Sequence, residues 1–275
     1  MSYRVYETKV FDLVICGDPN KQVAGQNVLD YIERHGIWAE LETQYLIHCL
    51  NKEDPDNFTF VDVGSNSGYF TLIALKMGFK VIAIEPCTDH KQYVMQSIKL
   101  NNLDISKLTY IEKFVSDVEE PVLFDGWSGN KDLMNKNENN TLVDTIGLDS
   151  LINDKVFLKV DVEGAEPDVF KSAVKAFDNN LIKYLMFELT YITPPRAEIN
   201  QEQVAILDYL DHQDYHLYDI VGINYRKIDN TKQKAQDWLY EFVEYHKRRN
   251  PELTSAGTNI VAQKSELNYS SYESL

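Results

Sequence analysis

Apolar residues change their period several times along the chain, and each change marks an element. Residues 3–16, YRVYETKVFDLVIC, are rich in β-branched and aromatic types and predict a leading hairpin or pair of strands. In IWAELETQYLIHCL, Trp38, Leu41, Tyr45, Leu46 and Cys49 recur at helical spacing, which predicts an amphipathic helix over 37–50. Phe58 to Val63 reads as a short buried strand, Gly64-Ser-Asn-Ser-Gly68 as a glycine-rich turn, and Tyr69 to Met77 as a helix. The alternation continues with a strand at Lys80–Glu85, a helix over 89–101 and a strand over 108–115. Further on come a strand at 156–162, a helix over Glu166–Phe177, a strand at Tyr184–Glu188, a helix over 201–213 and a strand at Tyr215–Val221. A helix at about 233–248 and a strand, Thr258 to Ala262, end the pattern. Repeated β-α alternation predicts an α/β fold, a mainly parallel sheet with helices on both faces. Residues 125–140, DGWSGNKDLMNKNENN, lack periodicity and predict an exposed loop, either a lid or a mobile segment.

Composition narrows the partners. The 275 residues are 44% hydrophobic and 25% charged, so a sizeable core can form and global disorder is excluded. Asp and Glu outnumber Lys and Arg by 43 to 27, and the formal charge of -16 repels phosphate backbones and anionic membranes. Nucleic acid is therefore not the expected partner, and the same field attracts a cation. Cys16, Cys49 and Cys87 are widely spaced and lack paired metal-ligand spacing, which predicts plain thiols. No apolar run approaches the ~18 residues of a membrane span, and no apolar stretch follows a basic start. A cytoplasmic protein with no stable membrane insertion is the expectation; the oligomeric state is left open.

The first β-α turn carries the leading chemical signal. A dinucleotide fingerprint is G-x-G-x-x-G, whereas Val61-Asp62-Val63-Gly64-Ser65-Asn66-Ser67-Gly68 spaces its glycines as G-x-x-x-G. That spacing opposes a nicotinamide oxidoreductase. Asp62 stands two residues before the first glycine, where an anionic ligand is disfavoured and one carrying an ammonium and a sulfonium is favoured. S-adenosylmethionine carries both, although a glycine turn also serves close helix–strand packing. Glu85 ends the second strand about twenty residues past the loop, the position of a ribose-binding carboxylate, and Pro86 then turns the chain away. Ser116-Asp117 after the third strand is either an adenine acceptor or a simple turn. Asp161, Glu163 and Glu166 put three carboxylates in six residues around Gly164 at a helix start, more than capping requires.

These residues resemble the FkbM-type S-adenosylmethionine-dependent methyltransferases. The match rests on Val61-Asp-Val-Gly-Ser-Asn-Ser-Gly-Tyr-Phe, Ile84-Glu-Pro, Gly147-Leu-Asp149-Ser-Leu and, above all, Leu158-Lys-Val-Asp-Val-Glu-Gly-Ala-Glu166, over about residues 36–222. The resemblance implies a Rossmann-like class I methyltransferase with a seven-stranded, mainly parallel sheet, and O-methylation of a sugar, glycan or natural-product hydroxyl. It implies that Asp62, Gly64, Asn66 and Gly68 hold the methionine end of the cofactor, Glu85 its ribose and Asp117 its adenine, with Ser65, Pro86 and Ser116 as further cofactor-binding residues. Asp161 and Glu188 would project into the acceptor crevice. Residues 1–57 are then strands and a helix packing on the core, 58–263 the methyltransferase domain, and 264–275 a polar tail.

An alcohol is a poor nucleophile at neutral pH, so a base must take its proton as the new bond forms. Asp161 or Glu188 is the expected catalytic base, with Glu163 second; a divalent cation held by Asp161 and Glu188 is the variant route. An N-methyltransferase acting on bases would place Asn-Pro-Pro-aromatic after the fourth strand, where this chain has Asp161-Val-Glu-Gly, and Pro194-Pro195 lacks the preceding Asn. A catalytically silent cofactor-binding or scaffold protein is the alternative, because fold-level signals survive loss of activity.

Overall fold

The computed structural model describes residues 3–18, 26–124, 141–193, 198–199, 201–221, 224–228, 238 and 256–265. The leading hairpin forms as expected: β1 (Arg4–Glu7) pairs antiparallel with β2 (Val14–Gly17). Two helices follow, α1 (Gln26–His35) and α2 (Glu40–Leu50). α1 was not expected from the sequence; its buried apolar positions reduce to Leu29 and Ile32, too few to stand out as a periodic stripe.

The β-α units then run in order: β3 (Thr59–Val63), α3 (Tyr69–Lys76), β4 (Lys80–Ile84), α4 (Thr88–Leu100) and β5 (Leu108–Ile111). The strand expected over 108–115 divides. After Ile111 the chain leaves the sheet, and β6 (Phe114–Val115) pairs in parallel with a later strand. β7 (Val122–Phe124) and β8 (Thr141–Val143) form an antiparallel pair, and β9 (Thr145–Ile146) is the partner of β6. Next come β10 (Val156–Val160) and two short helices, α5 (Glu166–Lys171) and α6 (Val174–Asp178), in place of one expected helix. The break has a tertiary cause. The Asp149 carboxylate accepts the N–H groups of Lys175 (3.1 Å) and Ala176 (2.9 Å), capping α6, while the Ser172 carbonyl accepts from Asp149 N at 2.9 Å. β11 (Ile182–Thr193), β12 (Glu198–Ile199), α7 (Gln201–His212), β13 (His216–Val221), β14 (Asn224–Ile228) and β15 (Ala256–Gln263) complete the chain.

The main sheet runs β14-β13-β15-β11-β10-β3-β4-β5, with β12 added at the end of β11. Seven of its nine strands are the expected ones; β14 and β12 are hairpin extensions on β13 and β11. β3, β4, β5, β10 and β11 are mutually parallel, and β15 runs antiparallel to both its neighbours. Strands buried on both faces explain the near-continuous apolar runs. Phe60, Ala83, Phe157 and Met186 face one core with α2, α3 and α4, and Val61, Ile84, Leu158 and Phe187 face the other with α5, α6 and α7. β3 sits between β4 and β10, where the winding direction reverses, and such a switch point opens a crevice at the strand carboxyl ends.

The loop 125–140 with Trp127, Pro194-Pro195 and the tail from 266 lie outside the described residues. So does the helix expected over 233–248, except Trp238, which packs against the second of these cores. No helix among the described residues is long and apolar enough to cross a membrane.

Candidate active site

A cleft of about 340 Å³ opens at the carboxyl ends of β3, β4 and β10, at the switch point. One wall is the turn after β3. Gly64 has φ +73, and a Cβ there would stand 1.8 Å from the Asp161 carbonyl oxygen, so only glycine lets the two loops touch. Asn66 is left-handed too, at φ 51, which asparagine tolerates, and its side chain accepts the Ser67 N–H at 2.6 Å. Gly68, at φ +81, packs under Val94 of α4 instead of lining the cleft.

Glu85 ties this turn to the next one. One carboxylate oxygen accepts Asn66 N–H at 2.8 Å and the other accepts Cys87 N–H at 2.9 Å, and the residue is buried where it lines the cleft beside Pro86 and His90. Both oxygens keep acceptor capacity for further donors. Ser65 also lines the cleft, its buried hydroxyl facing the Tyr110 phenol. Asp62 lies beneath the floor: it is 1% exposed, accepts the Thr71 hydroxyl at 2.7 Å through one oxygen, and holds the other 3.4 Å from the Lys159 ammonium. At the far end Phe114, Val115 and Phe124 form an apolar wall. Ser116 and Asp117 do not line the cleft; the Ser116 hydroxyl accepts Val118 N–H at 3.1 Å and Asp117 is exposed.

The turn after β10 forms the opposite wall. Glu163 and Gly164 are consecutive left-handed residues, with φ 55 and 98. Glu166 holds them there: fully buried, it accepts Val162 N–H (3.2 Å) and Gly164 N–H (3.1 Å) on one oxygen and the Gln203 amide (2.5 Å) on the other. This carboxylate is therefore structural, and it leaves Asp161 and Glu163 for the cleft. Burial, reinforced by the charges of Asp161 and Glu166 and opposed by Lys159, pushes the Glu163 carboxyl up to about 7.

A second cleft of about 170 Å³ adjoins the first. Asp161, Glu163, Lys159, Trp38 and Phe70 line both, and Glu42, Glu188 and Asn259 line the second. Glu188 and Asn259 are cross-strand partners on β11 and β15, and the Asn259 amide donates to Glu42 at 2.6 Å. Burial pushes the Glu42 carboxyl up, and the charge of Asp161 adds to it. Trp38 is fixed through its main chain: its backbone N–H donates to the Tyr69 hydroxyl oxygen (3.3 Å), and its carbonyl accepts from the Thr43 hydroxyl at 2.9 Å.

The structure thus brings Gly64, Ser65, Asn66, Glu85, Pro86, Asp161 and Glu163 together around one cleft and places Glu188 in the next. Asp62 and Gly68 support from behind, and Ser116 and Asp117 stand apart. Sequence reasoning missed Lys159, Trp38, Phe70, Glu42 and Asn259 as lining residues. Lys159 had left a signal, a lone charge in an apolar strand two residues before Asp161 and so on the same face. Among the described residues no three His, Cys, Asp or Glu side chains converge as metal ligands. Asp161 instead sits 3.6 Å from the Lys159 ammonium, a donor set that does not fit a divalent cation shared with Glu188.

Residues 62–217, more than half of the chain, match the family model described as the methyltransferase FkbM domain. No curated protein matches the sequence. Among solved structures, the chain is similar to a putative rRNA-methylase from Clostridium thermocellum, at 12% identity and TM-score 0.45 over 84% of this chain and 99% of that one. It is similar to a putative O-methyltransferase from Klebsiella pneumoniae, at 12% identity and TM-score 0.44 over 90% and 91% of the two chains. A precorrin-6y C5,15-methyltransferase from Geobacter metallireducens GS-15 aligns at 11% identity and TM-score 0.40 over 84% and 92%. The family match over more than half of the chain establishes that this chain belongs to the FkbM-domain methyltransferases, whose membership implies S-adenosylmethionine as methyl donor.

Proposed function

We propose that the protein is an O-methyltransferase that binds S-adenosylmethionine in the larger cleft and a hydroxyl-bearing small molecule or glycan in the smaller one. The observation that carries this reading is that Asp161 and Glu163 line both clefts, so carboxylates stand where donor and acceptor must meet. The larger cleft fits the cofactor chemically. Glu85 has lone pairs left for two ribose hydroxyls, the polar Ser65–Asn66 turn suits the methionine end, and Phe114, Val115 and Phe124 suit the flat adenine.

When bound, the cofactor supplies an electrophilic methyl group on a sulfonium. The protein's task is to hold an acceptor oxygen in line with it and to remove the hydroxyl proton. Glu163 is assigned that proton ahead of Asp161 and Glu188. Its carboxyl lies near neutrality, where a base is most effective, whereas Asp161 is beside the Lys159 ammonium and Glu188 lines only the second cleft. Glu188 and the Asn259–Glu42 pair then supply hydrogen-bonding groups to an acceptor's other hydroxyls, and Trp38 and Phe70 an apolar wall.

The test is methyl transfer from isotope-labelled S-adenosylmethionine to a panel of glycans, polyols and phenols, with amines and RNA as controls and product mapping by mass spectrometry. Label on a hydroxyl oxygen is the expected outcome. Label confined to amines or RNA overturns the acceptor class, and cofactor binding without transfer to any class favours a silent binding protein.

A further inference from the structure

We propose that Lys159 is a positioning residue that locks the cofactor-side turn and the carboxylate-bearing turn into one rigid unit; the catalytic part of this inference rests on the methyltransferase reading above. Lys159 is the cross-strand partner of Asp62, and its side chain is 6% exposed. Its ammonium donates to the Gly64 carbonyl at 2.7 Å and lies 3.5 Å from the Val63 carbonyl, 3.4 Å from Asp62 and 3.6 Å from Asp161. Three of these oxygens belong to β3 and its turn, and the fourth to the turn after β10. Burial pulls the ammonium's pKa down, but Asp161 and Asp62 together pull it further up, so the group stays charged. A buried cation shared between two loops resists their separation, because withdrawing either loop strands charge in a medium that solvates it poorly.

The backbone joins the same two turns at Asp161. Asp161 N–H donates to the Val63 carbonyl at 3.1 Å, and the Asp161 carbonyl rests against the α-carbon of Gly64. These contacts fix the main chain where the loops cross but leave the Asp161 carboxylate, half exposed, free to turn outward. The ammonium restrains it. Lys159 therefore sets the distance between the turn that faces the donor and the carboxylates that face the acceptor.

Removing the lysine alone leaves Asp62 buried without its counter-charge, so a Lys159→Met chain that fails to fold would be ambiguous. Asp62→Asn/Lys159→Met replaces the pair by neutral groups, and the amide oxygen introduced by Asp62→Asn can still accept the Thr71 hydroxyl; such exchanges of a buried pair are often neutral in stability. Asp161→Asn removes one arm of the pin at a half-exposed site and serves as the second variant. Hydrogen exchange of the ligand-free proteins reads the lock directly, at the amides of 64–68 and 161–165. With the melting temperature retained, exchange in both segments is expected to rise about tenfold in the pair variant, the cost of a charge-assisted hydrogen bond. In Asp161→Asn the rise should be smaller and confined to 161–165. In the transfer assay the pair variant should bind S-adenosylhomocysteine within a few-fold of wild type yet lose about 100-fold in kcat, as misplacement by about 1 Å costs. Unchanged exchange in both variants overturns the lock, and unchanged kcat in a pair variant with faster exchange overturns its catalytic role. If wild type neither binds S-adenosylhomocysteine nor transfers methyl groups, the methyltransferase reading fails while the exchange result still decides the lock.

Discussion

Gly64→Ala should weaken cofactor binding at least 100-fold, while Gly78→Ala, also at positive φ, should leave it intact. Both glycines are left-handed, at φ +73 and +90, so both substitutions carry backbone strain of about 1 kcal/mol. Only at Gly64 does the new Cβ meet backbone, the Asp161 carbonyl oxygen at 1.8 Å; at Gly78 nothing lies within 4 Å. No rotamer change relieves a contact between two main chains, and Asp161 N–H is itself bonded to Val63, so the turns after β3 and β10 must part. Parting them displaces the Asn66 N–H from Glu85 and opens the wall of the larger cleft. The expected loss of S-adenosylhomocysteine affinity is at least 100-fold, equivalent to about 3 kcal/mol. Isothermal titration of both variants checks it, with Gly78→Ala correcting for strain alone.

Glu163→Gln is the second large effect. Amide for carboxylate keeps the size of the side chain and removes its capacity to take a proton, so kcat should fall by about 1000-fold, within the usual range for a general base. Wild-type kcat/KM should fall as pH drops through about 7, where burial and the neighbouring Asp161 and Glu166 charges have moved this carboxyl, and that acid limb should vanish in the variant. Stability carries the opposite sign. A carboxyl whose folded pKa lies above its unfolded value favours the folded state at low pH, and that contribution is lost as pH rises from about 4.5 to about 7. Thermal melts across this range should therefore show Glu163→Gln gaining on wild type toward pH 8. Loss of activity in Asp161→Asn with Glu163→Gln intact would transfer the base assignment to Asp161.

The fold was legible because its central strands are buried on both faces and its first turn needs glycine. Val61 and Val63 alternate with Phe60 and Asp62 between two cores, and the run TFVDVG announces strand and turn together. What escaped depends on contacts between distant segments. The break between α5 and α6 comes from Asp149 and Ser172, 23 positions apart, and no local pattern in 166–177 marks it. β6 leaves the sheet because its partner, β9, lies across 125–140 in sequence.

The site divides in the same way. The spacing of Glu85 from the glycine turn places it at the end of the second strand; it lines the larger cleft there, and its hydrogen bond to Asn66 ties it to that turn. Asp62 was expected to touch the ligand; its burial against Thr71 and Lys159 makes it a support for the floor. Asp117 was placed at the adenine, but the chain's departure after Ile111 carries Phe114 and Val115 to the cleft and leaves Asp117 in solvent. Trp38, Glu42 and Asn259 reach the second cleft from outside residues 62–217, so its shape depends on segments the family pattern does not describe. Glu166 shows why carboxylates cannot be counted as chemistry from composition: it lies in the same run as Asp161 and Glu163 and serves only to bind two backbone N–H groups and an amide.

The measurement closest to the central claim is a calorimetric titration of wild-type protein with S-adenosylhomocysteine, followed by solution of the complex. One site of about micromolar affinity is expected, with the ribose hydroxyls on Glu85 and the sulfur facing Asp161 and Glu163. A folded protein that takes up no ligand at millimolar concentration, or one that binds it away from Glu85, would contradict the assignment of this cleft.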